Sequence, residues 1–332
     1  MGINTGVIAR FYRLYWIHIV YFCFAWLFAL VYFRSTHDIE VATLEMQTSF
    51  TAFKSVQLRV LIPSVVHYIK DFFPIPLRHL YLIISFGFTL SLLYSFRQLI
   101  RLFIPDRTAD LYSLVLIYTL MYNYAALNPL YYPSDIPAIF FFTVGVILIL
   151  KRRWVWYYIL FPIAVLNRES IAFLSIALVF LLYKKVPLVQ LGIHAVVQCI
   201  IWLGIRLTLY HIFIDNPGHT FRFTYDENFW VLVSIFKGNL PLLARLLIFG
   251  LIWTLIPYGW KEIPSEIKRL FLVFIPFVIV IFTIGCFIDE IREYCEMNVV
   301  ITAPAIFGLR KMLRDIFFKN KSASGRQEEI AV

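Results

Sequence analysis

Charge is scarce in this chain. Asp, Glu, Lys and Arg make up only 15% of its 332 residues, while 61% are hydrophobic. Soluble domains carry about 25% charged and about 45–50% apolar residues, so a soluble globular fold is excluded. Cysteine is scarce as well. Cys23, Cys199, Cys286 and Cys295 show no paired framework and no metal-ligand spacing. Three lie in or beside apolar segments and read as small core residues. The chain lacks a Gly-rich P-loop, a G-x-S-x-G elbow, an H-E-x-x-H pair and any C-x-x-C, which removes the enzyme classes built on those motifs. No internal repeat is visible.

What charge there is follows a pattern. One set of gaps between apolar runs is short and basic: Arg97, Arg101 and Arg107, then Lys151-Arg152-Arg153, Lys184-Lys185, Lys261 with Lys268-Arg269, and the tail from Arg310. The other set is mixed and includes Asp38-Ile39-Glu40, Ser134-Asp135, Asn167-Arg168-Glu169-Ser170, and Asp289 to Glu293; with the long loops of the same side it holds 13 of the 20 Asp and Glu. Short basic connections stay in the cytoplasm, so the mixed set faces the opposite compartment. The net charge of +10 is this orientation signal and not a nucleic-acid footprint. No nucleic-acid partner is expected.

Arg10 and Arg13 precede an apolar run from Leu14 to Phe33. It is long for a signal-peptide core and no small-residue cleavage site follows, so it reads as a retained span with its N-terminus inside. A span needs roughly 20 mainly apolar residues. The apolar runs lie at about 14–33, 79–96, 109–127, 136–150, 153–166, 170–183, 187–210, 240–258, 270–288 and 298–312. The expected fold is all-α and polytopic, with about ten transmembrane helices and both termini cytoplasmic. Residues 1–318 read as one transmembrane domain and 319–332 as a disordered cytoplasmic tail. The long outer loop at 34–78 carries an amphipathic stretch, Gln57 to Tyr68, suited to lying along the membrane interface.

Several spans are short. Runs of about 15 residues rise only about 22 Å across a hydrocarbon core near 30 Å. Basic residues pin their inner ends, so their outer ends must sit below the outer surface. Such ends are tolerated where they line a protein-covered or watery cavity. The expectation is a sunken groove open to the outer compartment and floored by polar helix ends.

The polar groups at those ends, Ser134-Asp135 and Asn167-Arg168-Glu169-Ser170, are site candidates, and so are charged groups of the outer loops. Charges inside an apolar stretch are costly and tend to be functional. Arg168 is suited to a phosphate and Glu169 to a hydroxyl or a divalent cation; the plainer reading is a turn in which the two pair and Asn167 or Ser170 caps a helix. Asp135 either caps the span that Pro137 opens or points into the groove. Asp38 and Glu40 can supply a general base or bind a divalent cation, or are solvated loop charge. Arg59 at headgroup level suits phosphate oxygens or simply snorkels. Arg292 and Glu293 either form a rim of the groove or belong to a solvated loop.

Together these features resemble the GT-C superfamily of integral membrane glycosyltransferases, in the compact bacterial form without a soluble C-terminal domain. The echoes are Asp38-Ile39-Glu40 after the first span, Gln57-Leu58-Arg59-Val60-Leu61-Ile62-Pro63 in the first loop, Ser134-Asp135-Ile136-Pro137-Ala138, Asn167-Arg168-Glu169-Ser170 and Glu290-Ile291-Arg292-Glu293. The resemblance implies a membrane-bound polyprenyl-phosphate sugar donor and a lipid-linked glycan, polysaccharide or protein acceptor on the outer face. It makes Asp38 or Glu40 the base, and Arg168, Arg59 or Arg292 the cation that receives the departing phosphate. The expected home is the bacterial plasma membrane; an endoplasmic-reticulum home gives the same topology. Two other classes remain open: a polysaccharide polymerase or ligase of another fold, and a multi-pass transporter.

Overall fold

The computed structural model describes residues 5–104, 108–126, 130–219, 223–239, 249–283, 290, 293 and 295–330. The side chains of 5–14, 235, 249–250, 281 and 318–330 fall outside the description. Among the described residues the fold is helical, with no strand and only the isolated bridges His37–Leu130 and Ile39–Ala42.

The chain opens with α1 (Thr5–Ser35). Three short helices follow: α2 (Leu44–Thr48), α3 (Lys54–Gln57) and α4 (Leu61–Ile69). Next comes α5 (Leu77–Arg101), then α6 (Thr108–Ser113) and α7 (Val115–Leu120), which continues as a π turn over Met121–Ala126. α8 (Asp135–Leu150) and α9 (Trp154–Asn167) lead through a 3₁₀ turn at Glu169–Ala172 into α10 (Phe173–Leu182). α11 (Leu188–Ile212), α12 (Tyr225–Phe236), α13 (Leu255–Gly259), α14 (Ser265–Phe271), α15 (Phe274–Thr283) and α16 (Met297–Ile330) complete the order. Pro76, Pro187 and Pro264 stand immediately before α5, α11 and α14, where a missing N–H costs nothing.

Among the described residues, three helices are long and apolar enough to cross a membrane: Tyr15–Ser35, Leu77–Arg101 and Leu188–Ile212. Three more, Asp135–Leu150, Trp154–Asn167 and Glu169–Leu182, are apolar but shorter. α5 packs on α1 and α8, α8 on α9 and α10, and α16 on α13. Burial of apolar surface gives little drive between helices in lipid, so close approach and polar pairs carry more weight. Gly259 and Gly308 face each other, and a Cβ on Gly308 would run into the Leu255 carbonyl. Asn123 Nδ2 donates to Asn298 Oδ1 at 2.7 Å, joining the π turn to α16. Gln198 Oε1 on α11 accepts from Tyr157 on α9 at 2.6 Å and from Ser175 on α10 at 2.7 Å.

The two kinds of connection separate to opposite ends. At the basic end, Arg152 donates to the Lys185 carbonyl at 3.5 Å, Lys185 pairs with Glu266 at 2.5 Å, Arg269 donates to the Tyr183 carbonyl at 2.7 Å, and Arg314 pairs with Glu262. At the mixed end, Lys54 N donates to the Pro217 carbonyl at 2.8 Å, and Asn216 Nδ2 to those of Phe50 and Ala52 at 3.0 and 2.8 Å. These bonds staple the loop after α1 to the one after α11. Gly218 turns at φ +90°, and any Cβ there would meet the Phe53 ring.

Some expectations change. Cys23 and Cys199 lie on outward faces of α1 and α11, so of the described cysteines only Cys295 is buried. The amphipathic stretch of the first loop divides: Gln57 ends α3, and α4 buries Ile62, Pro63 and Val66 while leaving Tyr68 exposed.

Candidate functional site

Arg59 sits in the turn between α3 and α4. Gln57 fixes that turn: its Nε2 donates to the Gln47 carbonyl at 3.3 Å, and its Oε1 accepts from Ala52 N at 3.2 Å. The guanidinium then lies over the Tyr132 ring, 5.9 Å from its centroid, a favourable placing for a cation. It forks onto Glu169, Nη2 to Oε1 at 2.7 Å and Nε to Oε2 at 3.4 Å.

Glu169 is held there by a break in the helices. α9 ends at Asn167, Arg168 takes one extended residue, and the 3₁₀ turn begins at once. The break turns Arg168 inward. Its Nη1 donates to Asp135 Oδ1 and its Nη2 to Glu293 Oε2. Asp135 is the first residue of α8, and Ser134 occupies the cap position with no side-chain cap bond. The N-cap alternative for Asp135 is thereby set aside: its carboxylate serves Arg168, while still lying at the positive end of the helix dipole. Asn167 ties the two helix ends together, Nδ2 to the Ser134 carbonyl at 2.9 Å.

The charges form one alternating ladder. It runs Arg206, Glu169, Arg59, Glu293, Arg168, Asp135. Arg206 Nη1 lies 3.6 Å from Glu169 Oε2, and Arg59 Nη2 lies 4.0 Å from Glu293 Oε2. From Glu169 inward exposure falls: the Glu169 side chain is 34% exposed, Arg168 1% and Asp135 0%. Desolvated charges persist only when paired and hydrogen-bonded, and each rung here has an opposite neighbour. Arg168 Nε and Asn167 Oδ1, both buried, have no hydrogen-bond partner among the described residues.

Beside the ladder lies Glu296, also fully buried. It accepts from Ser170 Oγ, and Cys295 Sγ approaches its other oxygen at 2.9 Å. Glu293 and Glu296 come from the stretch leading into α16. Arg292, a substrate-binding candidate in that stretch, lies outside the described residues.

Asp38 and Glu40 stand apart from the ladder. Asp38 is half-buried and accepts from Leu44 N at 3.4 Å, at the start of α2. Glu40 is exposed. Among the described residues neither forms an ion pair with Arg59 or Arg168. Their segment is nevertheless linked to the one entering α8: His37 pairs with Leu130, and Tyr131 N donates to the His37 carbonyl at 3.0 Å. Among the described residues no group of three or more His, Cys, Asp and Glu is placed to hold a metal ion.

Two participants were not singled out in the sequence. Arg206 is the one arginine within the 25 residues of α11, and a lone charge in an apolar helix is itself a signal. Trp202, one turn earlier, donates Nε1–H to the Glu169 carbonyl at 3.1 Å; no pattern in the sequence marks it. Comparison with family models, curated proteins and solved structures gives no match to this chain.

Proposed function

We propose that this is a membrane glycosyltransferase of the GT-C kind, with about ten spans, that moves a sugar from a polyprenyl-phosphate donor to a glycan or protein acceptor on the outer face. The observation that carries the reading is the ladder: five distant parts of an apolar chain deliver Arg59, Asp135, Arg168–Glu169, Arg206 and Glu293 to one place. The separation of basic and mixed connections to opposite ends supports a cytoplasmic basic end and an outer site. The apolar helices support a membrane home, the bacterial plasma membrane being the proposed one.

In this reading a carboxylate takes the proton of the acceptor hydroxyl and the freed oxygen attacks the anomeric carbon. The carbon–oxygen bond to phosphate breaks, and its electron pair leaves with the polyprenyl phosphate. The arginines stabilise that growing charge, usually the largest catalytic contribution. Asp38 is the favoured base, since its segment is bonded to the one entering α8; Glu40 is the alternative. Glu293 and Asp135 hold the Arg168 fork in place. A divalent cation, if the reaction takes one, would have to draw on Asp38, Glu40 or the donor phosphate.

A transporter is the second reading, favoured by the helix break at Arg168, since transporters place substrate at broken helices. The test is transfer itself. Asp38→Asn should lower sugar transfer by about a hundredfold or more, as loss of a general base does, with donor binding retained. Unchanged transfer by the Asp38→Asn, Glu40→Gln double variant removes both as the base.

A further inference from the structure

We propose that the Glu169 carboxylate is a resident stand-in for phosphate. It occupies an anion seat built by Arg59 and Arg206 and swings aside when the phosphate headgroup of a single-chain lipid enters. The inference deepens the reading above and depends on it only for the ligand class.

Two cations converge on this one carboxylate, and both are anchored without it. Arg206 Nη1 donates to the Leu58 carbonyl at 3.1 Å. Arg59 rests over Tyr132 and has Glu293 at 4.0 Å behind it. Glu169 is the outermost of the three: its side chain is 34% exposed, against 10% for Arg59 and 15% for Arg206. The anion can therefore leave while the seat stays built. The Arg59 fork presents Nε and Nη2 side by side, the geometry that suits phosphate oxygens as well as carboxylate.

The neighbouring surface suits an apolar chain on that phosphate. Ile193, Val196, Ile200, Leu203 and Leu207 are all exposed on α11. Their spacing of three and four residues makes one aliphatic stripe, and Arg206 neighbours it through Leu203, three residues earlier on the same helix. A prenyl chain lying along this stripe brings its phosphate to the seat. A resident anion keeps two arginines compensated while no lipid is bound; an uncompensated buried charge is strongly destabilising.

Trp202 supplies a reporter, because its indole bonds the Glu169 carbonyl. The experiment titrates the purified full chain in detergent with farnesyl phosphate, farnesol and inorganic phosphate. Binding is read by calorimetry and by the tryptophan fluorescence that Trp202→Phe removes. Farnesyl phosphate should bind and shift the Trp202 signal, while farnesol and inorganic phosphate bind at least about tenfold more weakly, each lacking half of the ligand. Glu169→Gln and Glu169→Ala should each tighten farnesyl phosphate by about three- to tenfold by removing a like charge. Arg206→Gln should weaken it about tenfold or more.

Unchanged or weaker binding in both Glu169 variants overturns the proposal, as does an Arg206→Gln protein that binds normally. Inorganic phosphate binding as tightly as farnesyl phosphate overturns the lipid assignment. The wild-type Trp202 response does not depend on any Glu169 variant folding, and its absence at saturation also overturns the proposal. A protein that shows this binding pattern without transfer activity keeps the seat and loses the transferase reading. Transfer activity with no Glu169 effect on binding does the reverse.

Discussion

Arg59 and Glu169, 110 residues apart in the chain, meet as a forked ion pair with Nη2–Oε1 at 2.7 Å and Nε–Oε2 at 3.4 Å. The pair joins the first loop to the break between α9 and α10. Its fork uses two nitrogens whose relative placing only guanidinium supplies. Arg59→Lys should therefore behave as a loss and not as a conservative change. Transfer should fall by about tenfold or more with either Arg59→Lys or Arg59→Gln. Retention of full activity by the lysine variant would show that charge alone suffices there.

Arg168 and Asp135 make the buried end of the ladder. Removing one partner leaves an uncompensated charge, which costs about 3–5 kcal/mol in buried pairs. Arg168→Met and Asp135→Asn should each lower the unfolding midpoint of the purified protein markedly. The double variant should cost less than the sum, because the two residues share one interaction. Strict additivity in a thermal-unfolding cycle would contradict the pairing.

The polar interruptions were legible because a charge in a chain this apolar stands out. Asn167-Arg168-Glu169-Ser170 and Ser134-Asp135 do lie at helix ends, and both meet in the ladder. Their partners were not legible. Asp135 at a helix start looks the same in sequence whether it caps its own helix or pairs with Arg168. Arg206, a lone arginine in an apolar run, was a signal of the same kind, but nothing in the sequence tied it to Glu169. The cysteines misled for a related reason: apolar neighbours place Cys23 and Cys199 in helices, but not on the inner or the outer face. In a membrane protein both faces are apolar, so hydrophobicity loses its power to tell them apart.

Gly308 tests the helix packing independently of the site. A Cβ there would run into the Leu255 carbonyl, and the facing position on α13 is Gly259. Gly308→Ala should force α13 and α16 apart and destabilise by about 1–3 kcal/mol. Gly192→Ala is the control, because a Cβ there meets nothing within 4 Å. It should be neutral or stabilise by up to about 1 kcal/mol. Comparing the two unfolding midpoints decides the matter; equal shifts would mean that the α13–α16 contact is loose.

The basic end carries a small pH dependence. The Lys185 ammonium, 2.5 Å from Glu266, pulls that carboxyl down from 4.5 to about 2. A depressed carboxylate adds stability that is fully present above its unfolded value and is lost as pH falls through its folded one. The gap in stability between wild type and Glu266→Gln should therefore be constant above about pH 5 and close towards pH 2. Both side chains are about a quarter to a third exposed, so the gap should stay below about 1 kcal/mol. A gap that widens on acidification would assign the wrong partner to Glu266.

Sugar transfer is tested most directly by reconstituting the full chain in sealed vesicles with polyprenyl-phosphate donors carrying different labelled sugars. Loss of label from the lipid and release of polyprenyl phosphate are followed beside solute exchange across the same membrane. The account predicts that one donor is consumed, that polyprenyl phosphate accumulates in step, and that Arg168→Met abolishes both without opening the vesicles. Donors that all remain intact while the wild-type protein exchanges solute would contradict it and make the chain a transporter.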